Sequence, residues 1–337
     1  MAIVTIKDVA ERVGVSAKTV SRVINGEPHV RAALREQVER VVAELGYRPN
    51  AHARSLSSAR SYLLAMLFDD PSSGYAIAMQ QGAMAQCRAR SYHLLVERLD
   101  AQQPRFVEEL ADTAAALRLD GVILPPPLCD MPELLDAVER LGLPYVRVSP
   151  AAPGARAAPS LGIDEEAAAA EMVRHLIALG HRAIAFVAGD PVHASAARRR
   201  SGFVAAMTAA GLSARAIKPG DFTFRAGLAA GEALLGRRAP PSAIFAANDD
   251  MALGVLVAAL RRGLAVPEQL SVAGFDDGPT ARIAWPALTT IRQPTAEMGA
   301  AAVDLLIDRA AGDHHALLDF ALVERDSTAA PGPARAG

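Results

Sequence analysis

The stretch Thr5-Ile6-Lys7-Asp8-Val9-Ala10-Glu11-Arg12-Val13-Gly14-Val15-Ser16-Ala17-Lys18-Thr19-Val20-Ser21-Arg22-Val23-Ile24-Asn25-Gly26 carries two apolar stripes separated by a glycine. Thr5 with an acid three residues on fits a capping-box variant, and Val9, Ala10 and Val13 form one face of the helix it opens. Gly14 is suited to stop that helix. Ser16 is placed to cap a second helix from Ala17 to Asn25, with Val20, Val23 and Ile24 facing inward and Gly26 at its end. A third helix is expected from about Arg31 to Leu45, with Leu34, Val38, Val41, Val42 and Leu45 on one face and Gly46 and Pro49 terminating it. Helix, glycine-containing turn and second helix at this spacing form a helix-turn-helix signature.

Lys18 and Arg22 lie four apart and so share a face of the second helix. Thr19, Ser21 and Asn25 supply short polar groups suited to phosphate oxygens. Arg22 can present a bidentate fork to guanine O6 and N7, a contact worth roughly 1–3 kcal/mol of discrimination. The plain alternative, a small three-helix cap whose charges only face water, stays open on periodicity alone. The 337-residue chain has a net charge of -2, but the charge is unevenly placed. Residues 1 to 60 hold ten Lys/Arg against six acids, leaving 25 basic against 31 acidic residues beyond them. A basic head on an acidic body suggests a polyanion partner for the head alone.

Working outward, Asn50 to Ser57 reads as one or two helical turns, too short to stand alone in water, and Ser57 to Ser61 as a linker. From Tyr62 the pattern alternates. Strands are expected at 62–68, 92–96, 121–124, 145–148, 183–188, 243–247 and 270–275, with helices between them such as 165–179 and 250–262. This indicates parallel sheets with crossover helices, and some 270 residues of it implies two α/β lobes. The two cysteines, Cys87 and Cys129, have no metal or redox spacing. The N-terminus lacks a signal-peptide pattern, and no apolar run approaches the ~20 residues that span a bilayer. A cytoplasmic protein without membrane association is expected. No phosphate-binding glycine motif follows any strand, which speaks against a sugar kinase or a dehydrogenase.

Thr5-Ile6-Lys7-Asp8-Val9-Ala10, Gly14-Val15-Ser16, Thr19 to Asn25, Leu45-Gly46-Tyr47-Arg48-Pro49-Asn50 and Ala53-Arg54-Ser55-Leu56 together closely resemble the headpiece of the lactose/galactose-repressor (LacI/GalR) family. The likeness continues through Leu179-Gly180-His181, Asn248-Asp249-Asp250-Met251-Ala252, Gly274-Phe275-Asp276-Asp277 and Leu288-Thr289-Thr290-Ile291-Arg292-Gln293-Pro294. The resemblance implies an all-α helix-turn-helix headpiece (residues 1–49), a hinge helix and linker (50–61), and a periplasmic-binding-protein-like sensor of two parallel-sheet lobes (62–330). In that sensor the N-lobe covers about 62–161 plus 292–318 and the C-lobe about 162–291 plus 319–328. Residues 329–337 are expected to be a disordered tail.

On the DNA side, Ala17, Lys18 and Arg22 match the family's base readers. Thr5, Ser16, Thr19, Ser21, Asn25, His29, Tyr47 and Asn50 match its backbone and flanking contacts. Ala53 and Leu56 match the hinge, where a leucine wedge enters the minor groove and kinks the duplex. Arg31 departs from the family's usual small capping residue, and the short Ala17 shifts base reading onto Lys18 and Arg22. For the effector, the resemblance carries over Arg199, Asn248 and Asp276, with Phe222 as an aromatic wall and Asp70 and Tyr75 after the first strand. A carboxylate, an amide and a guanidinium in one cleft suit adjacent hydroxyls. Expected is a homodimeric regulator on a palindromic double-stranded DNA operator, controlled by a small molecule, a sugar before a purine-like metabolite or a partner protein. No metal, cofactor or enzymatic activity is implied. A sugar-binding transport protein would share the body but need a signal peptide and lack residues 1 to 57. No leucine-heptad tail follows the body, which points to a dimer and not a tail-mediated tetramer.

Overall fold

The computed structural model describes residues 4–24, 30–47, 60–70, 73–100, 103, 105–309 and 314–332. The chain divides into two units, Met1–Tyr62 and Leu63–Gly337. In the first, α1 (Ile6–Val13), α2 (Ala17–Ile24) and α3 (Ala32–Leu45) follow the apolar stripes. The Asp8 carboxylate accepts the Thr5 backbone N–H at 2.7 Å and its hydroxyl at 2.8 Å, fixing the start of α1. Gly14 and Gly46 end α1 and α3 with φ of 78° and 61°, a left-handed turn that a side chain would strain. Ser16 Oγ accepts the Thr19 N–H at 3.1 Å, capping α2. Arg31 precedes α3 without a side-chain cap, so that helix begins at Ala32. Val9, Val20 and Val38 are fully buried at the centre, each contributing roughly 1.5–3 kcal/mol relative to an exposed position.

The second unit holds two six-stranded sheets. One contains β1 (Leu63–Phe68), β2 (His93–Arg98), β3 (Gly121–Leu124), β4 (Tyr145–Val148), β5 (Ser160–Gly162) and β11 (His315–Leu317), in the order β11-β5-β4-β3-β1-β2 and parallel throughout. The other contains β6 (Ile184–Val187), β7 (Ile217–Lys218), β8 (Ala243–Ala246), β9 (Ser271–Asp276), β10 (Thr289–Arg292) and β12 (Ala321–Val323), in the order β12-β10-β9-β8-β6-β7. It is parallel except for the antiparallel edge strand β12. Central strands are apolar on both faces because crossover helices cover both sides. Leu64 to Phe68 are all buried, as are the four residues of each of β3, β6 and β8.

Helices α4 (Gly74–Ala89), α5 (Phe106–Leu117), α6 (Pro132–Arg140) and α12 (Thr295–Ile307) belong with the first sheet. Helices α7 (Glu165–Ala178), α8 (Ala194–Ala209), α9 (Phe224–Leu235), α10 (Asp249–Arg261) and the short α11 (Pro279–Ile283) belong with the second. Phe186 on β6 stacks on Phe203 of α8 at 5.0 Å and leans on Phe245 of β8 at 5.2 Å, forming the centre of that lobe's core. The chain passes between the sheets three times, after β5, after β10 and after β11.

The expected disordered tail from residue 329 needs correction. The Ala329 N–H donates to Ser271 Oγ at 3.1 Å, and its carbonyl lies 2.9 Å from His181 Nε2. Pro331 packs at Gly180. Hydrogen bonds to the buried His181 and Ser271 hold a segment whose proline- and glycine-rich composition had read as loose. Residues 333–337 lie outside the described residues.

Candidate functional sites

In the headpiece, the alternation that buries Val20 and Val23 leaves Lys18 and Arg22 exposed together on the other side of α2. Ser16 is exposed as well, while Thr19 and Ser21 are half-buried. The Ser16 and Thr19 hydroxyls bond each other at 2.9 Å. Two of the expected contacts also take part in packing. Ala17 packs against the three-helix core, and Tyr47 is 8% exposed within it, where burial pushes its phenol pKa up. Arg35 of α3 donates to the Val23 carbonyl at 3.3 Å, tying α3 to the last turn of α2. Asn25, His29, Asn50, Ala53 and Leu56 lie outside the described residues.

In the second unit, a cavity of about 570 Å³ opens between the two lobes at the C-terminal ends of their strands, the place where open parallel sheets present ligand sites. Asp70, Tyr75, Arg199, Phe222, Asn248 and Asp276 all line it. Asp70 follows β1 and Tyr75 opens α4; Arg199 lies on α8; Phe222 precedes α9; Asn248 precedes α10; Asp276 ends β9. Three lining residues, Ser149, Phe222 and Asp276, have φ of 50°, 67° and 115°. Backbone strain of this kind in residues with side chains collects at ligand sites. Phe222 fits only because residue 189 is glycine: a Cβ there would stand 2.1 Å from its ring. The edge of His193 meets that ring at 5.2 Å.

Arg199 is held on every side. Its Nε donates to Glu165 Oε2 at 2.7 Å, one terminal nitrogen donates to the Ala247 carbonyl at 2.6 Å, and its guanidinium lies 3.7 Å from the centre of the Phe275 ring. The same nitrogen that serves Ala247 stands 3.6 Å from Asp276 Oδ1. Asp276 Oδ1 also accepts from Gln293 Nε2 at 2.7 Å. Burial raises the Asp276 pKa to about 7, and Arg199 and Gln293 only partly oppose it. Asp249, buried and facing Asp276, is raised as well, although the Thr290 hydroxyl and the Gly278 N–H both donate to it. Burial raises Tyr75 and lowers His193, so both are neutral near pH 7. Asn248 is less free than its place suggests. Its carbonyl oxygen caps α10 through the Met251 N–H at 3.0 Å, and its amide donates to the Phe222 carbonyl at 2.9 Å.

The sequence reading missed Glu165, Ser149, His193 and Gln293. Glu165 had no local signal, because Asp164-Glu165-Glu166 reads as an ordinary acidic helix start. Gln293 stood inside a recognised motif without an assigned role. Asp277 turns away from the cavity and accepts from Arg292 at 2.8 Å, Arg282 at 3.3 Å and Arg325; burial would raise its pKa, but these bonds hold it below the usual carboxylate value. One nitrogen of Arg198 donates to the Pro150 and Ala151 carbonyls of the other lobe at 2.7 and 2.6 Å. Among the described residues no helix is long and apolar enough to cross a membrane.

Residues 5–50 match the profile of bacterial regulatory proteins of the lacI family, and residues 173–328 that of a periplasmic binding protein-like domain. Catabolite control protein A of Priestia megaterium is 35% identical over 308 residues, covering 90% of this chain and 91% of that one. The lactose operon repressor of Escherichia coli (strain K12) is 32% identical over 337 residues, covering 97% and 91%. Among solved structures, the lac repressor dimer bound to operator and the anti-inducer ONPF superposes with a TM-score of 0.78 at 30% identity, covering 98% of this chain and all of that one. The complex of the regulator CelR with cellobiose gives 0.73 at 30% identity, covering 96% and 99%. The chain belongs to the lacI family of bacterial regulatory proteins and is a DNA-binding transcription regulator, not an enzyme.

Proposed function

We propose that the protein reads a near-palindromic operator as a homodimer in the cytoplasm, and that a mono- or disaccharide in the cavity between its lobes sets how tightly it does so. The observation that carries this reading is the convergence of Arg199, Asn248, Asp276 and Phe222, from four separate parts of the C-lobe, on one cavity of about 570 Å³. An aromatic face beside a carboxylate, an amide and a guanidinium suits a pyranose, whose C–H face is apolar and whose rim is hydroxyl. The CelR complex with cellobiose, similar over nearly the whole chain, supports the same class. Lys18 and Arg22 read base edges and the basic head adds sequence-independent attraction to phosphates. One headpiece covers a short half-site, so two-fold protein symmetry requires a near-palindrome.

Effector and DNA are coupled as a shift in population between lobe arrangements. In one arrangement the paired N-lobes hold the two hinge segments, residues 50–61, close enough to fold on DNA with Leu56 as the wedge. In the other they separate and the wedge withdraws. Selecting bound duplexes from a random pool, with and without a panel of sugars, tests the whole reading: an enriched palindrome whose recovery changes with one sugar is expected. Full-length protein that prefers no duplex under any ligand condition would overturn it. Asp276→Ala should abolish the sugar response while leaving ligand-free operator binding in place, and an unchanged response removes Asp276 from the site.

A further inference from the structure

We infer that the effector is a polyol carrying a protonated amine, and that phosphorylated sugars are excluded, because the cavity is walled by carboxylates with almost no cation to balance them. This rests on the polyol reading above and adds a charge to it. Besides Glu165, Asp249 and Asp276, five aspartates line the cavity: Asp69 and Asp70 from the N-lobe, and Asp190, Asp221 and Asp250 from the C-lobe. Among the described residues only Arg199 and His193 bring basic side chains to that lining. Arg199 is engaged by Glu165, and burial keeps His193 neutral. Arg282, Arg292 and Arg325 converge on Asp277, which does not line the cavity. Four of these acids are steadied by neutral donors: Asp69 accepts the Asp70 N–H, Asp190 the Val192 N–H, Asp221 the Thr223 N–H and hydroxyl, and Asp250 the Thr280 hydroxyl. Such bonds orient carboxylates without cancelling their charge.

A second, independent feature shows that a polar ligand belongs here. Ser149 lines the cavity and is only 4% exposed, yet its hydroxyl has no hydrogen-bond partner. A buried hydroxyl without a partner is costly, and an incoming hydroxyl or amine satisfies it. Burial is the main reason Asp276 is raised, and Glu165 and Asp250 add to it against the opposing pull of Arg199 and Gln293. A phosphate brought into this field meets like charge on both lobes, whereas an ammonium gains from each carboxylate in a setting where water screens little.

The test uses full-length protein and isothermal titration calorimetry with two matched triples: D-glucose, D-glucosamine and D-glucose 6-phosphate, then the three galactose counterparts. The amine is expected to bind at least about tenfold tighter than its neutral parent, the advantage shrinking as salt rises, and the phosphate is expected not to bind. Asp190→Asn and Asp221→Asn, whose amides keep the Oδ1 acceptor, should lower the amine-to-parent ratio; melting curves check that each variant is folded. A neutral parent that binds as well as its amine, or a phosphate that binds better, overturns the charge assignment and leaves the polyol reading standing. No binding by any of the six overturns the charge assignment, and the polyol reading falls with it only if the wider sugar panel also leaves duplex recovery unchanged.

Discussion

Replacing Arg199 with methionine separates a ligand contact from a structural clasp. The sequence reading made Arg199 an effector contact, in which case its loss costs affinity and little stability. In the structure it is the cationic partner of Glu165, whose side chain is 1% exposed. Removing one member of a buried pair strands the other and costs about 3–5 kcal/mol. The methionine keeps some packing against Phe275 but loses the bond to the Ala247 carbonyl. With roughly 2–4 °C of melting temperature per kcal/mol for a body of this size, the drop should be about 6–20 °C. Adding Glu165→Gln removes the stranded charge, so the double variant should recover a good part of the loss even though two native side chains are gone. Differential scanning calorimetry is the suitable assay, since the single tryptophan, Trp285, is 93% exposed and reports the core poorly. A drop below about 2 °C, with no recovery in the double variant, would refute the clasp.

Lys18→Ala and Arg22→Ala should each cost about 1–3 kcal/mol of operator preference while salt-sensitive binding to random DNA persists; equal losses on both DNAs in fluorescence anisotropy would remove them as base readers. Burial raises Asp276 from 3.8 to about 7, so the unfolded chain releases this proton first and the stability tied to the group falls as pH climbs between those values, then levels off. Asp276→Asn, which cannot ionise, should therefore gain on the parent in melting temperature over that window, and parallel curves would contradict the shift. Arg198→Met removes two partly exposed charged bonds between the lobes, together worth about 1–2 kcal/mol, and should move the closed-to-open ratio by about 5–30-fold. Small-angle scattering should show a larger average radius, and identical profiles would count against a bridge that matters.

The long strands were legible because β1, β3, β6 and β8, covered on both faces, read as unbroken apolar runs. β7 has two residues, and β5, β11 and β12 have three each, too few to show any period. The headpiece helices were legible from capping residues and apolar spacing, but the packing of Tyr47 among them was not, since a motif match does not say how deeply a ring is buried. Of Arg198-Arg199-Arg200, spacing to Gly202 singles out the middle residue, and that one is buried while Arg200 is exposed. What spacing could not supply was the partner. Glu165 lies 34 residues away on another helix and meets Arg199 only once α7 and α8 are packed. Buried ion pairs of that kind are set by tertiary geometry, which leaves no periodic trace in the chain.

The three passages of the chain between the sheets have a practical consequence for anyone cutting the protein. A protease that nicks one passage leaves the lobes joined by two others, so a clipped sample should migrate as a single species under native conditions and separate only once denatured. For the same reason neither lobe can be cloned as one uninterrupted fragment: each is completed by a strand that returns after the chain has already built most of its neighbour.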